Sequence, residues 1–342
     1  MPVDSTAAAI RPITNDAYTA VLGTQPYPLE ETVAWDAYDE LLPERELWKG
    51  TRWAWYSDPE QDAPRAVLTL RCFTLRTMHF LWCWSGPVWV GPEPTQDEEQ
   101  RMVRELAAFV KREDASMSFI RLGLLHPNPE AVMPCQDLYF HDTTIMIDTT
   151  GDEAALRSRM KPRGRRDVNK GLRESPITVV DETDITREGF EELMGVIRET
   201  SERQGFSALR PEQYWTLFDV MRQQGMARLF VGREDGKAIN WGLFLVNGTF
   251  AAYEVAATSE RARRTHSADV LLFTGLLELQ KSGVTLVDLV AIGSDYNPKL
   301  NPLNEFKTKW TKQVTRVGAP MEIILNPTRY RAMNWLAHKM GR

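Results

Sequence analysis

Two hairpin turns constrain this chain more than any other feature. Asp235-Gly236 and Asn247-Gly248 each stand between runs of aliphatic, β-branched and aromatic residues. Asp-Gly and Asn-Gly readily supply the positive φ angles that tight hairpins need. Three strands are therefore expected in close order, over 228–232, 238–246 and 250–256. A helix over 267–281 and a strand over 285–289 follow, and then a short helix that carries Phe306 and Lys307.

Upstream of the hairpins the pattern is mixed. Strands are expected over 66–72, 79–84, 116–124 and 143–147, and a helix over 96–112 with Met102, Leu106, Phe109 and Val110 on one face. A basic helix over 153–172 and a short strand over 177–180 come next, then helices over 188–203 and 211–223. Pro211 suits a first helical turn, where its missing N–H would be unpaired anyway. Toward the end, a strand region over 314–325 precedes a helix over 329–339. The chain thus presents two similar α/β (α+β) halves in tandem, without detectable sequence repetition. A hairpin sheet, then a helix, then a further strand is the element order of an N-acetyltransferase (GNAT) sheet, an analogy of fold and not of function.

The 342 residues suffice for two ordinary domains, and 43% hydrophobic with 26% charged residues reads as globular. No apolar run reaches the roughly 18 residues of a membrane span. Residues 1–10 lack a basic region followed by an apolar one, so no secretion signal is expected. The expected location is cytoplasmic. Cys72, Cys83 and Cys135 are far apart and odd in number, which reads as reduced core cysteines. His79, His126, His141, His266 and His338 have no metal-ligand spacing, so no metal is expected. No Gly-rich phosphate loop or nucleophile elbow appears. The eleven tryptophans are scattered, as core or cleft walls would be.

One segment stands apart electrostatically. Arg157, Arg159, Lys161, Arg163, Arg165, Arg166, Lys170 and Arg173 face only Asp167, a local charge of about +7 in a chain of net charge −6. A solvated helix more often mixes signs at i and i+4. Pro162 and Gly164 should interrupt the helix and expose backbone N–H groups beside guanidinium groups, which suits phosphate. The alternative is a set of solvated or intramolecular ion pairs. Little aromatic interleaving argues for backbone contact rather than base stacking.

The order of several segments resembles the Fem family of non-ribosomal peptidyltransferases. They are Trp35-Asp36-Ala37-Tyr38, Ser85-Gly86-Pro87-Val88, Lys161-Pro162-Arg163-Gly164-Arg165-Arg166, Ser201-Glu202-Arg203-Gln204-Gly205-Phe206, Leu209-Arg210-Pro211-Glu212-Gln213-Tyr214, Ala252-Tyr253-Glu254, Asp288-Leu289 and Phe306-Lys307. The resemblance implies two acetyltransferase (GNAT)-like domains, 1–150 plus 318–342 and 151–317, the chain end returning to complete the first. No heptad stretch occurs, so the long coiled-coil arm of some members is not expected. The resemblance also implies transfer of an amino acid from aminoacyl-tRNA to an amine of a peptidoglycan precursor, with no cofactor beyond the tRNA. The partners would be aminoacyl-tRNA and a soluble or lipid-linked precursor. A monomer is expected, with no integral membrane segment and room for peripheral contact at the inner membrane face.

Carried over by position, Lys307 would face the reacting ester and Phe306 would wall the aminoacyl end. Arg210 and Tyr214 would hold the phosphate-bearing end of the precursor. Tyr253 is a substrate-binding candidate, with Ala251 and Val255 on its face if the strand alternates regularly. Lys161, Arg163, Arg165 and Arg166 would meet tRNA phosphates. The chain departs from the family in three places. Asp39 and Glu40 stand where a lysine is often found, Val290-Ala291 replace the glycine after Asp-Leu, and Arg121 is followed by Leu122 and Gly123 instead of an acid. These departures leave the acceptor open.

An aminoacyl ester is already activated, so such a transfer needs no ATP. A free alkylamine has a pKa of about 10.4, so roughly one in a thousand is neutral at pH 7. A cation beside the tetrahedral oxyanion is worth about 3–4 kcal/mol, the role expected of Lys307 with Asp288 or Asp295 as counter-charge. No residue stands out as the base, and Tyr253 or a ribose hydroxyl could relay the proton. Two rivals remain. An acyl-CoA-dependent N-acyltransferase would cradle pyrophosphate on 263–268, but His266 stands where glycine lets the backbone approach. A binding module would use the basic patch without catalysis.

Overall fold

The computed structural model describes residues 9–42, 45–75, 78–134 and 140–339. Cys135 lies outside them, and Cys72 and Cys83 are free thiols. The chain divides into two units: Met1–Thr143 with Gly293–Leu300 and Arg316–Arg342, and Thr144–Ile292 with Asn301–Thr315. Among the described residues no helix is long and apolar enough to cross a membrane.

The first unit is built on two sheets. One has the order Ile10–Ile13, Arg52–Trp55, Ala66–Leu68, Val88–Trp89. Of these only Ala66–Leu68 falls in an expected strand: Ile10–Ile13 and Arg52–Trp55 are four residues each, the first containing a proline and the second opening on an arginine, and Val88–Trp89 is two. The other runs Arg45–Leu47, Arg71–Leu75, Met78–Trp82, Met117–Leu124, Ala319–Ile324, Ala131–Val132. Met78–Trp82 lies parallel to Met117–Leu124, and helix Gln96–Glu113 makes the crossover that a parallel pair requires. That helix is capped by the Thr95 side chain. It carries acids in its first turn and Lys111 and Arg112 in its last, and it buries the face expected of it. The chain end returns antiparallel to Met117–Leu124, with Ala319 opposite Leu124 and Ile324 opposite Phe119.

Elements of the second unit are numbered within it. They are β1 (Met146–Asp148), α1 (Glu153–Arg159), α2 (Pro162–Glu174), β2 (Thr178–Asp181), α3 (Arg187–Gln204), α4 (Pro211–Gln223), β3 (Ala227–Glu234), β4 (Lys237–Asn247), β5 (Phe250–Thr258), α5 (Glu260–Arg264), α6 (Ser267–Lys281), β6 (Leu286–Asp288) and α7 (Asn304–Lys307). The sheet order is β1-β6-β5-β4-β3-β2. Both expected hairpins form, and β6 runs parallel to β5 after the α6 crossover. Trp241 of β4 turns to α3, where its indole N–H donates to the Leu193 carbonyl at 3.0 Å. Its neighbours in sequence face the other way, and Phe244 packs with Phe230 beneath Gly275 of α6.

The single basic helix expected over 153–172 is two helices. Met160 and Lys161 are extended, and Pro162 opens α2. Gly164 does not break α2. A Cβ there would lie 2.4 Å from the Lys309 carbonyl oxygen, so this glycine permits a close backbone approach.

Candidate active site

The chemistry gathers where β5 and β6 part. β6 ends at Asp288, opposite Ala252, while β5 continues to Thr258. Just beyond that point β5 is irregular. Leu243 pairs with Val255 and the next residue, Phe244, pairs with Tyr253, which leaves Glu254 as the extra residue of a β-bulge. The bulge overturns the expected alternation. Tyr253 and Val255 pair with successive residues of β4, so they face opposite sides of the sheet. Tyr253 lies with Ala251 in the core, its ring stacked on Phe244 at 4.6 Å and pressed over Gly242. Burial pushes its phenol pKa up, the wrong direction for a proton relay.

Past β6 the chain turns sharply. Val290 and Ala291 have φ of 55° and 35°, a region that a β-branched residue enters at a cost of about 1–3 kcal/mol. This is where the Fem resemblance leads one to expect glycine. Asp288 holds the turn by accepting the Val290 N–H at 2.7 Å and the Thr144 hydroxyl. The turn aims two carbonyls at one cation. Lys307 Nζ donates to the Val290 carbonyl and, at 2.9 Å, to that of Ala291. An ammonium has three N–H donors, so these carbonyls leave one.

Lys307, Glu254 and Asp288 form one electrostatic cluster. Burial lowers the Lys307 pKa to about 8, with Asp288 and Glu254 pulling the other way. Burial, aided by Asp288 and opposed by Lys307, raises Glu254 to about 7. Asp288 is therefore the counter-charge expected near Lys307. Asp295, the other candidate, is exposed on the Gly293–Leu300 segment of the first unit. Glu254 was not singled out from the sequence as a site residue. Its signal was an acid amid the apolar run Phe250-Ala251-Ala252-Tyr253-Glu254-Val255-Ala256-Ala257.

Phe306 is partly buried against the core of this unit, edge-on to Trp310 with ring centroids 6.2 Å apart. Lys309 is fully committed elsewhere. Its ammonium lies 3.2 Å from Asp167 and 2.5 Å from Asp269.

The basic segment is more neutralised than the sequence suggested, because carboxylates outside the run from Arg157 to Arg173 reach its cations. Arg157 pairs with Glu153 at 2.7 Å, Arg159 with Asp148 at 3.1 Å and Arg163 with Glu305 at 2.5 Å. The Lys161 N–H donates to the Lys309 carbonyl at 3.0 Å, and Arg165 donates to the Met160 carbonyl at 2.7 Å. Arg166 is the most exposed of the four phosphate candidates, 73% exposed and 3.8 Å from Asp167.

Arg210 and Tyr214 are not brought to this cluster. They lie at the start of α4, which packs on α3 and β3, two strands from β5. Arg210 is exposed, its backbone N–H donating to Gln213 at 3.1 Å. Tyr214 is buried, and its hydroxyl accepts the Leu209 N–H at 3.2 Å, closing the turn into the helix. In the first unit, Asp39 is buried against Arg71 and lies 3.7 Å from Arg45. Arg121, with no acid following it in the chain, is paired with one from another strand. Glu322 of the returning strand pairs with it and also accepts the Tyr330 hydroxyl at 2.6 Å.

Residues 158–297 match the acetyltransferase (GNAT) domain family. No curated protein sequence matches the chain. The crystal structure of FemX superposes with a TM-score of 0.72 and 14% identity, covering 95% of this chain and 99% of that one. The C-terminal domain of a proposed lysylphosphatidylglycerol synthetase from Agrobacterium fabrum gives 0.51 and 14%, covering 94% and 95%. A tandem GNAT protein from the clavulanic acid biosynthesis pathway gives 0.50 and 10%, covering 93% and 98%. The likeness to FemX bears out, at the level of fold, the resemblance read from the sequence: the chain consists of two GNAT-like halves in tandem.

Proposed function

We propose that the chain is an aminoacyltransferase that moves an amino acid from aminoacyl-tRNA to an amine of a peptidoglycan precursor. The observation that carries this reading is the seating of Lys307, within a fold similar to FemX over 95% of the chain. A partly buried ammonium with two N–H groups fixed by carbonyls has its third set in direction before substrate arrives. Such a preorganised donor stabilises an oxyanion most in the transition state. Phe306, beside it, would wall the aminoacyl end, and Arg166 is the phosphate candidate best placed to meet tRNA.

The acyl-CoA alternative is disfavoured by the α6 N-terminus. Gly171 of α2 presses on the His266 carbonyl, where a Cβ would come within 3.0 Å. Ser175 and Ser267 share a hydrogen bond of 2.7 Å, and the first turn holds buried Asp269. That helix end is filled by the protein's own groups and carries an acid where pyrophosphate would need to bind.

The reading is tested by mixing the protein with charged tRNAs and with soluble and lipid-linked precursors. The expected outcome is an acceptor heavier by one amino acid, formed at least about 100-fold more slowly with Lys307→Ala. No mass gain from folded protein with any pair would refute it.

A further inference from the structure

The reaction just proposed needs a proton acceptor, and neither Tyr253 nor Lys307 fits. Tyr253 is packed in the core with its phenol pKa raised, and Lys307 donates to two carbonyls. Glu254 differs from both. It is the unpaired residue of the bulge, one position past the tyrosine and beyond the end of β6, where the sheet opens. Bulges re-aim a side chain that regular pairing would have fixed. Among the described residues no group makes a hydrogen bond or ion pair to its carboxylate. Asp288, by contrast, is tied to Val290 and Thr144. The two acids of the cluster therefore have different freedom. Asp288 secures the turn that presents the carbonyls to Lys307, and Glu254 keeps lone pairs to spend.

We propose that Glu254 is the proton acceptor for the incoming amine. This rests on the aminoacyltransferase reading above. The neutral amine nitrogen attacks the ester carbonyl carbon, the C–N bond forms, and the carbonyl electron pair moves to oxygen beside Lys307. Glu254 then takes a proton from the now cationic nitrogen. The oxyanion pair returns, the ester C–O bond breaks, and the leaving ribose oxygen takes the proton from Glu254. The products are an amide and a free ribose hydroxyl, and the carboxylate is regenerated. Among the described residues, the charged groups facing Glu254 are Asp288 from β6 and Lys307 from α7. Burial, and then repulsion from Asp288, disfavour negative charge on Glu254 and so make it a stronger base than an ordinary glutamate. Lys307 limits that effect.

The test compares two acceptors, the natural amine and the same peptide with an aminooxy group in its place. The aminooxy nitrogen loses its proton far more readily and depends less on a base. Glu254→Gln should lose at least about 100-fold in transfer to the amine and keep most of its rate with the aminooxy acceptor, measured above the uncatalysed reaction. Because the neutral fraction of the amine itself rises with pH up to about 10.4, the pH dependence is read as the ratio of the wild-type to the Glu254→Gln rate. That ratio should rise with pH through about 7, where Glu254 gives up its proton. Retention of the amine rate by Glu254→Gln would overturn the proposal. Equal loss with both acceptors would also overturn it, by making Glu254 a support for Lys307. Wild type inactive with both acceptors and every charged tRNA would instead refute the transferase reading, and the proton acceptor with it.

Discussion

Lys307 and Lys309 stand two residues apart and live in opposite surroundings. Lys309 is buried with Asp167 and Asp269 in direct contact, so its charge is spent on holding α2 and α6. Among the described residues no carboxylate touches Lys307 so closely. It is held by two carbonyls of a left-handed turn, while Glu254 and Asp288 act on it electrostatically. A lysine whose charge is cancelled at contact has nothing left for a substrate. One steadied by dipoles and held near its titration point can still respond to charge that develops beside it.

Substitution should separate the two most sharply. Lys309→Met removes the cation that Asp167 and Asp269 share, leaving Asp167 only the more distant Arg163 and Arg166, and should cost about 3–5 kcal/mol, read from denaturant unfolding. Wild-type stability in that variant would erase the contrast. Lys307→Ala should instead lower transfer by about 100- to 1,000-fold and leave the unfolding midpoint nearly in place. A comparable loss of stability in both variants would make Lys307 another structural cation.

Glu254→Gln probes the same contrast through pH. The folded protein holds the Glu254 proton up to about pH 7, above its ordinary value of 4.5. Its contribution to stability is therefore complete at low pH and is lost as pH rises through about 7. The glutamine variant should melt a few degrees above wild type at pH 8 and level with it at pH 4. Equal melting at both pH values would mean an unperturbed carboxyl. Charge reversal at Arg166 should reduce the slope of log affinity for tRNA against log salt by about 1, and reversal at Arg163, already paired with Glu305, by less. Equal slopes for both variants would show that the ion pair does not matter. The smallest effect is expected from Val290→Gly, which relieves φ of 55°. It should gain up to about 1 kcal/mol, because the strain removed slightly exceeds the entropy added to the unfolded chain.

Much of the second unit was legible because its punctuation is local. Asp235-Gly236 and Asn247-Gly248 announced their hairpins, and the helices Pro211–Gln223 and Ser267–Lys281 have the expected bounds. What escaped depends on partners distant in sequence. A bulge is a property of two strands, and nothing in Tyr253-Glu254-Val255 alone says that β4 will skip a residue. For the same reason Val255 was placed on the face of Tyr253 and Ala251, and Glu254 went unrecognised. The neutralisation of Arg163 by Glu305, and of Arg121 by Glu322, was equally invisible along the chain. Lys307 was found through its resemblance to a family position. The carbonyls that seat it could be read only from the backbone angles of Val290 and Ala291.

The bare face of Gly164 has a mechanical consequence. Because no Cβ intervenes, the Lys309 carbonyl lies flush on α2 and also takes the Lys161 N–H. The start of the basic helix and the peptide two links past Lys307 are thereby riveted, with no slack to absorb a shift. The helix therefore cannot shift without straining a contact that lies two residues from the ammonium.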